Sequence, residues 1–326
     1  MSSSLSVVEA GSADTAEVLA VLRRAFGPRP PLDPPSTALD ETEQTVHARL
    51  ARSGGLLVLR HDRPVGSVMF DTDARPGRLG LLRVSVDPAQ QGHGVASAMV
   101  GVAEDVAEDR GLDGTWLTAR EELPENLVFW DRRGYVEVAR RGRSIELAKT
   151  LWVARALPTA ADTRAFGERL AELVGAGDLV VLTGELGAGK TTLAQGIGAG
   201  LRVRGDVTSP TFVISRVHPS LVGGPDLVHV DAYRLGGAPE LDDLDLDASV
   251  ADSVTVVEWG AGLAEGLAAS WLDVRLDPLA SGGAAALAAA GPGRQVPPDD
   301  VETRVASVRP VGPRWATVPL RSTLLA

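Results

Sequence analysis

Apolar positions along this chain switch between a period near two and a period near 3.6, as strands and helices do when they alternate. LSVVE reads as a strand and Thr15 to Phe26 as an amphipathic helix. GPRPPLDPPST must then be a loop, because proline removes the amide that a helix needs. Leu39 to Ser53 is predicted helical; LLVLR, PVGSVMF and LGLLRVSV follow as strands, with HDRP as the first turn. Val95 to Arg110 returns to helical spacing. Strand TWLTA, a short helix over Asn126 to Arg133 and strand YVEVA complete a first unit, residues 1–150.

A second unit, 151–326, begins with almost no linker. LWVARAL is predicted as a strand, and Thr159-x-x-Asp162 as a capping box opening a helix through Leu173. Strand LVVLT leads through a glycine-rich turn into a helix from Lys190 to Leu201. LVHVD and VTVVE are further apolar strands, each ending in a carboxylate. Both units are expected to be α/β. The first would be a mixed sheet with helices on both faces, the second a mostly parallel sheet covered likewise. SGGAAALAAAGPG predicts flexibility over 278–300, and VETRVASV to PRWATV alternates as a terminal hairpin would.

Composition narrows the function classes. No apolar run reaches membrane-spanning length and the first residues carry no signal-like basic and apolar regions, so a cytoplasmic protein without a membrane partner is expected. There is no cysteine, hence no disulfide and no thiolate zinc site. The five histidines show no paired spacing. The net charge of −11 argues against nonspecific nucleic-acid binding, which rests on neutralising phosphates. From Leu151 to Ala280 nine basic residues face eighteen acidic ones, so this half should touch RNA only through a partner. Among 32 basic residues only Lys149 and Lys190 are lysines, which singles them out for work arginine cannot do.

Gly184-Glu185-Leu186-Gly187-Ala188-Gly189-Lys190-Thr191 fits the phosphate-loop pattern G-x-x-x-x-G-K-[ST], between a strand and a helix as the pattern requires. Glycines let the backbone turn its N–H groups onto phosphate oxygens, and the next helix adds its positive end, where Thr192 also lies. Lys190 would reach the β- and γ-phosphates of ATP, and Thr191 would ligate Mg2+. Hydrolysis also needs carboxylates for the metal and the attacking water. Asp231 and Glu258, closing two strands at the phosphate-loop edge, are the candidates.

Four blocks in order, LTGELGAGKTTLAQGI, TSPTF, HVDAYRL and VEW, are together similar to the TsaE family of bacterial ATPases. The resemblance covers Leu151 to Leu276 and implies an ATPase required for threonylcarbamoyladenosine modification of tRNA. It implies action with the TsaB and TsaD proteins, tRNA being touched only indirectly. It implies that Thr191 and Asp231 sit with magnesium, that Glu258 supports hydrolysis, and that Thr211 senses the γ-phosphate. Which carboxylate positions the water stays open. The sequence departs from the family at Asp245, where a glycine is expected. The alternating Asp243, Asp245 and Asp247 invite a calcium loop, but Ala248 and Val254 replace the glycine and glutamate that such a loop needs.

In the first unit, Gln91-Gly92-His93-Gly94-Val95-Ala96 follows a strand and opens a helix. With ENLVFWDRRGYVEV it resembles the GNAT family of N-acetyltransferases over residues 5–148. The resemblance implies that Gln91, Gly92, Gly94 and Ala96 hold the acetyl-CoA pyrophosphate and that Asn126 contacts the cofactor. Trp130 stands where many relatives carry a tyrosine acid, and His93 reads as a solvent-facing loop residue. The alternative function is an N-acetyltransferase of unknown acceptor, regulated by the nucleotide-binding half. A small-molecule kinase is disfavoured for want of an arginine-rich lid.

Overall fold

The computed structural model describes residues 5–29, 32–210, 212–237, 240, 251–279 and 303–326. Thr211, the acidic run 241–250 and the Gly/Ala-rich stretch 280–302 lie outside the described residues, and with them the expectations attached to them. The chain divides into two compact units, Met1–Lys149 and Thr150–Ala326.

In the first unit the strands are β1 (Leu5–Ala10), β2 (Gly55–Arg60), β3 (Arg63–Asp71), β4 (Arg78–Val86), β5 (Gly114–Arg120), β6 (Val136–Arg141) and β7 (Ser144–Thr150). They form one sheet in the order β1-β2-β3-β4-β5-β7-β6. Helices α1 (Thr15–Phe26) and α2 (Glu43–Ser53) bury Val18, Leu22, Val46 and Leu50 against Leu57 and Met69. Successive strand residues face opposite ways. Val68, next to Met69, accordingly turns to the other face with Leu81, where α3 (Val95–Asp109) supplies Met99, Val100 and Ala103. A short helix, α4 (Pro124–Asp131), follows β5.

Two departures from the expected elements have local causes. Helix α2 starts at Glu43 rather than Leu39, because Thr42 and Thr45 exchange hydrogen bonds in a capping box that ends the preceding loop. Strand β7 is not expected from the sequence, since Lys149 falls on the face of Ile145 and Leu147 and interrupts their alternation, and Glu146 adds a second charge on the opposite face. Glu146 pairs with Arg75 and Lys149 with Glu104, so both charges are accommodated.

The second unit contains β8 (Val153–Leu157), β9 (Leu179–Gly184), β10 (Ser215–His218), β11 (Asp226–Asp231), β12 (Ser253–Glu258), β13 (Trp271–Pro278) and β14 (Arg304–Val311). Their order is β10-β11-β12-β9-β13-β14-β8. The central four strands, β11, β12, β9 and β13, are parallel, and antiparallel strands flank them. On one face α5 (Ala160–Ala171) and α6 (Lys190–Leu201) bury Phe166, Leu170, Leu193 and Ile197 against Val180, Leu182, Val254, Val256 and Val274. On the other, Leu263, Ala264 and Leu267 cover Val181, Val228, Val230 and Val257. The two helices meet so closely that a Cβ on Gly196 would lie 2.1 Å from the Arg164 carbonyl oxygen.

The expected terminal hairpin is not formed. β14 is a single strand between β13 and β8, and a 3-10 turn (Pro313–Trp315) and the helix α7 (Leu320–Leu324) follow it. Gly312 and Pro313 break the strand, and Trp315, 1% exposed, is used as a core residue beside α5 and α6.

Candidate functional site

Strand β9 ends at Gly184, and the chain turns through Glu185, Leu186, Gly187 and Ala188 to Gly189 before α6 begins at Lys190. Gly184 has φ +149°, and a Cβ there would sit 2.4 Å from the Leu276 carbonyl oxygen, so conformation and space both demand glycine. Leu193 N to Gly189 O is the first bond of the α6 ladder. The amides of Lys190, Thr191 and Thr192 are thus those a helix start offers to an anion.

Lys190 is 5% exposed. Its Nζ donates to the carbonyls of Gly184 (2.7 Å) and Glu185 (2.9 Å) and lies 3.7 Å from the ring centroid of Trp259. Burial pushes the amine's pKa below its ordinary value, against the opposing pull of the Glu258 and Asp231 charges. Trp259 takes φ +61° and its ring leans on Tyr233 at 5.1 Å.

Asp231 and Glu258 are register partners at the ends of adjacent parallel strands, 5% and 3% exposed. They have different neighbours. Glu258 Oε1 accepts from Thr191 Oγ1 and from His229 Nε2, both at 2.9 Å. Asp231 accepts from Ser209 Oγ at 2.9 Å and from the Tyr233 amide at 3.1 Å. Thus Lys190, Thr191 and Glu258 converge with Trp259 on the loop, while Asp231 anchors the segment that begins at Ser209.

Three contributors carried no role in the sequence reading: His229, Ser209 and Arg304, whose Nη2 donates to the Gly187 carbonyl at 3.2 Å. His229 could have been found, since a two-residue spacing in a strand puts it on the face of Asp231. Nothing local marks Arg304, which arrives from β14.

The residues fit a magnesium nucleotide. The loop and helix start form an anion cradle with a buried amine, and a hydroxyl already shares a carboxylate oxygen beside it. That all-oxygen donor set suits a hard cation, and magnesium needs few protein ligands because phosphate oxygens and water complete its shell. Among the described residues no group of three His, Cys, Asp or Glu could hold a metal by itself. No described helix is long and apolar enough to cross a membrane.

In the first unit, β4 and β5 run parallel but pair only from Arg78–Gly114 to Gly80–Trp116, so they part towards their C-terminal ends. The β3–β4 register also shifts between Ser67 and Met69, and Arg83 takes φ +53° there. The chain leaving β4 turns through Gln91, Gly92, His93 and Gly94, all exposed, into α3, whose first turn holds Ala96. Gly92 and Gly94 have φ +77° and +78°, again a conformation for glycine. The start of this 15-residue helix and the parted strands suit a pyrophosphate-bearing cofactor. Asn126 is exposed on α4, and Arg133 beyond that helix bonds Ser97 in the first turn of α3.

No phenol faces that opening from the expected position. Trp130 is 5% exposed and packs edge-on against Phe129 and Tyr135. Tyr135, 2% exposed, shares a 2.7 Å hydrogen bond with Thr115, and burial raises its pKa well above the ordinary value. His93 is exposed, its Nδ1 2.9 Å from the Gln91 carbonyl.

Two separate stretches of the chain are similar to known families. The family model described as threonylcarbamoyl adenosine biosynthesis protein TsaE matches residues 157–282, and that of the acetyltransferase (GNAT) family matches 18–135. The tRNA threonylcarbamoyladenosine biosynthesis protein TsaE of Streptomyces coelicolor is 56% identical over 155 residues, covering 47% of this chain and 94% of that protein. The protein of the same name from Mycobacterium tuberculosis is 54% identical over 128 residues, covering 37% and 76%. Among solved structures, the PaiA N-acetyltransferase of Thermoplasma acidophilum in complex with coenzyme A aligns at 14% identity and a TM-score of 0.40, covering 44% of this chain and 97% of that one.

Proposed function

The chain belongs to the TsaE family through its second unit, and from that membership we propose that it is the ATPase serving threonylcarbamoyladenosine modification of tRNA, with a fused GNAT-type acetyl-CoA-binding domain. The observation that carries the reading is the hydrogen bond from Thr191 to Glu258 beside the buried Lys190 of the phosphate loop. A hydroxyl and a carboxylate meeting at the first turn of α6 is what a nucleotide-bound magnesium requires.

Magnesium, when bound, neutralises charge on the β- and γ-phosphate oxygens. Thr191 and Glu258 would hold it. Lys190 would donate to phosphate oxygens in place of the Gly184 and Glu185 carbonyls, and the loop amides would hold the phosphates. Asp231, held by Ser209 and the Tyr233 amide rather than by Thr191 in the hydrogen bonds described above, orients the attacking water. This departs from the family analogy, which pairs Thr191 with Asp231 and leaves Glu258 to hydrolysis. Gly184, Gly187 and Gly189 shape the loop, Glu185, Leu186 and Ala188 complete it, and Thr192 contributes its amide. We take the partners to be the TsaB and TsaD proteins, in the cytoplasm, with tRNA bound by them. The excess of carboxylates in this half supports an indirect contact with RNA.

For the first unit we propose acetyl-CoA binding at Gln91, Gly92, Gly94 and Ala96, with Asn126 near the cofactor. The parting of β4 from β5 favours this reading. With Trp130 and Tyr135 both buried, any transfer would proceed without a phenolic acid from either position.

The test is to deplete a bacterium of its own TsaE and express this protein or its Lys190→Ala form. Threonylcarbamoyladenosine in bulk tRNA is then measured by mass spectrometry, with the cognate TsaB and TsaD supplied. Restoration by the wild type alone is expected; failure of both would refute the reading.

A further inference from the structure

We infer that His229 is a positioning residue of the nucleotide site: through its hydrogen bond to Glu258 it holds that carboxylate in register with Thr191 for the metal. The inference rests on the reading of the phosphate loop as a magnesium-nucleotide site.

His229 lies in the middle of β11 and is 0% exposed. The two-residue alternation of that strand places it on the α6 face with Leu227 and Asp231, among the apolar side chains of the main core. An apolar residue would fill such a position without polar cost. The imidazole instead buries two nitrogens there, and among the described residues Nδ1 has no hydrogen-bond partner. A buried polar atom left unsatisfied weakens the fold, so its retention points to work done by the rest of the ring.

That work is visible at Nε2, 2.9 Å from Glu258 Oε1. A carboxylate oxygen only accepts, so Nε2 is the donor of this bond. The same oxygen accepts from Thr191 Oγ1 at 2.9 Å. Two donors from different elements, one on β11 and one on α6, thus converge on one oxygen of Glu258. Among the described residues, these two hydrogen bonds commit Oε1 and leave Oε2 uncommitted. Glu258 closes β12, and these two donors set which way its carboxylate faces. An imidazole donating to a carboxylate beside a metal is a familiar way to orient that ligand. It leaves the histidine out of contact with the nucleotide, which separates its role from that of Lys190.

The experiment compares the full-length wild type with His229→Leu, His229→Asn and His229→Gln. Glutamine can carry an amide N–H to the position of Nε2, whereas asparagine is too short and leucine has no donor. Equilibrium affinity for a fluorescent, non-hydrolysable ATP analogue is measured with magnesium and with EDTA, alongside thermal melts. For the wild type, magnesium should tighten binding. In the leucine and asparagine variants that tightening should fall about 10- to 100-fold, with affinity in EDTA unchanged, and glutamine should restore most of it. Equal weakening with and without magnesium, or glutamine behaving as leucine does, would mean a purely structural histidine and overturn the inference. A wild type that binds nucleotide no better with magnesium would instead overturn the underlying site reading. If the leucine variant does not fold, the asparagine–glutamine pair decides.

Discussion

Replacing Gly196 by alanine would test how far the phosphate-loop helix depends on its packing against α5. By itself the change favours the helix, since alanine is better than glycine in a helix interior by about 1 kcal/mol. The structure opposes it. The new Cβ would lie 2.1 Å from the Arg164 carbonyl oxygen and 2.9 Å from Gly167 Cα, both backbone atoms that no rotamer change can move. Restoring ordinary contact requires α5 and α6 to part by about 1 Å, and overpacking of this kind costs about 1–3 kcal/mol. With backbone on both sides the cost belongs at or above the upper end, so the net effect should be about 2 kcal/mol of destabilisation. For a unit of this size that lowers the melting temperature by about 4–8 °C. Gly101 is the control, because it lies inside α3 and a Cβ there meets nothing within 4 Å. Gly101→Ala should therefore stabilise by about 0.5–1 kcal/mol. Differential scanning calorimetry of the two variants measures both. Gly196→Ala melting at or above the wild-type temperature would refute the close-packing argument.

Other outcomes follow from single contacts. Lys190→Arg keeps the charge but cannot fit a planar guanidinium between two loop carbonyls and the Trp259 ring, so ATP turnover should fall about 10²–10³-fold, measured by phosphate release. Thr159→Ala removes the acceptor for the Asp162 amide and should cost about 1 kcal/mol, read from denaturant unfolding. The Arg120 guanidinium bonded to Glu122 holds that carboxyl at about 2, below its ordinary 4.5. The stabilisation this represents is fully present above pH 4.5 and is lost as pH falls towards 2. Urea unfolding should therefore show Glu122→Gln weaker than wild type at neutral pH, with the gap narrowing in acid; a gap that widened would contradict the assignment.

The elements most legible in sequence were those whose cause is local. The capping box at Thr159, the helix α3 and the strand–loop–helix around Lys190 all stand where short-range chemistry puts them. Strand β7 was hidden because its charges are answered by residues far along the chain, Arg75 and Glu104. The end of the chain misled for a related reason. Trp315 sits in an alternating pattern, but Gly312 and Pro313 end the strand before it and Trp315 packs in the core.

The candidate site divides in the same way. Sequence alone determined the phosphate loop, because glycine conformation, a lysine and a hydroxyl within eight consecutive positions define an anion cradle without help from the rest of the fold. It also placed Asp231 and Glu258 at strand ends. Only the tertiary structure decided which carboxylate meets Thr191, a contact spanning 67 residues, and set His229 behind it. It likewise brought Arg304 to the Gly187 carbonyl from 117 residues away. Such pairings depend on strand order and register, and these come from burying apolar faces of segments far apart in the chain, which no local pattern encodes.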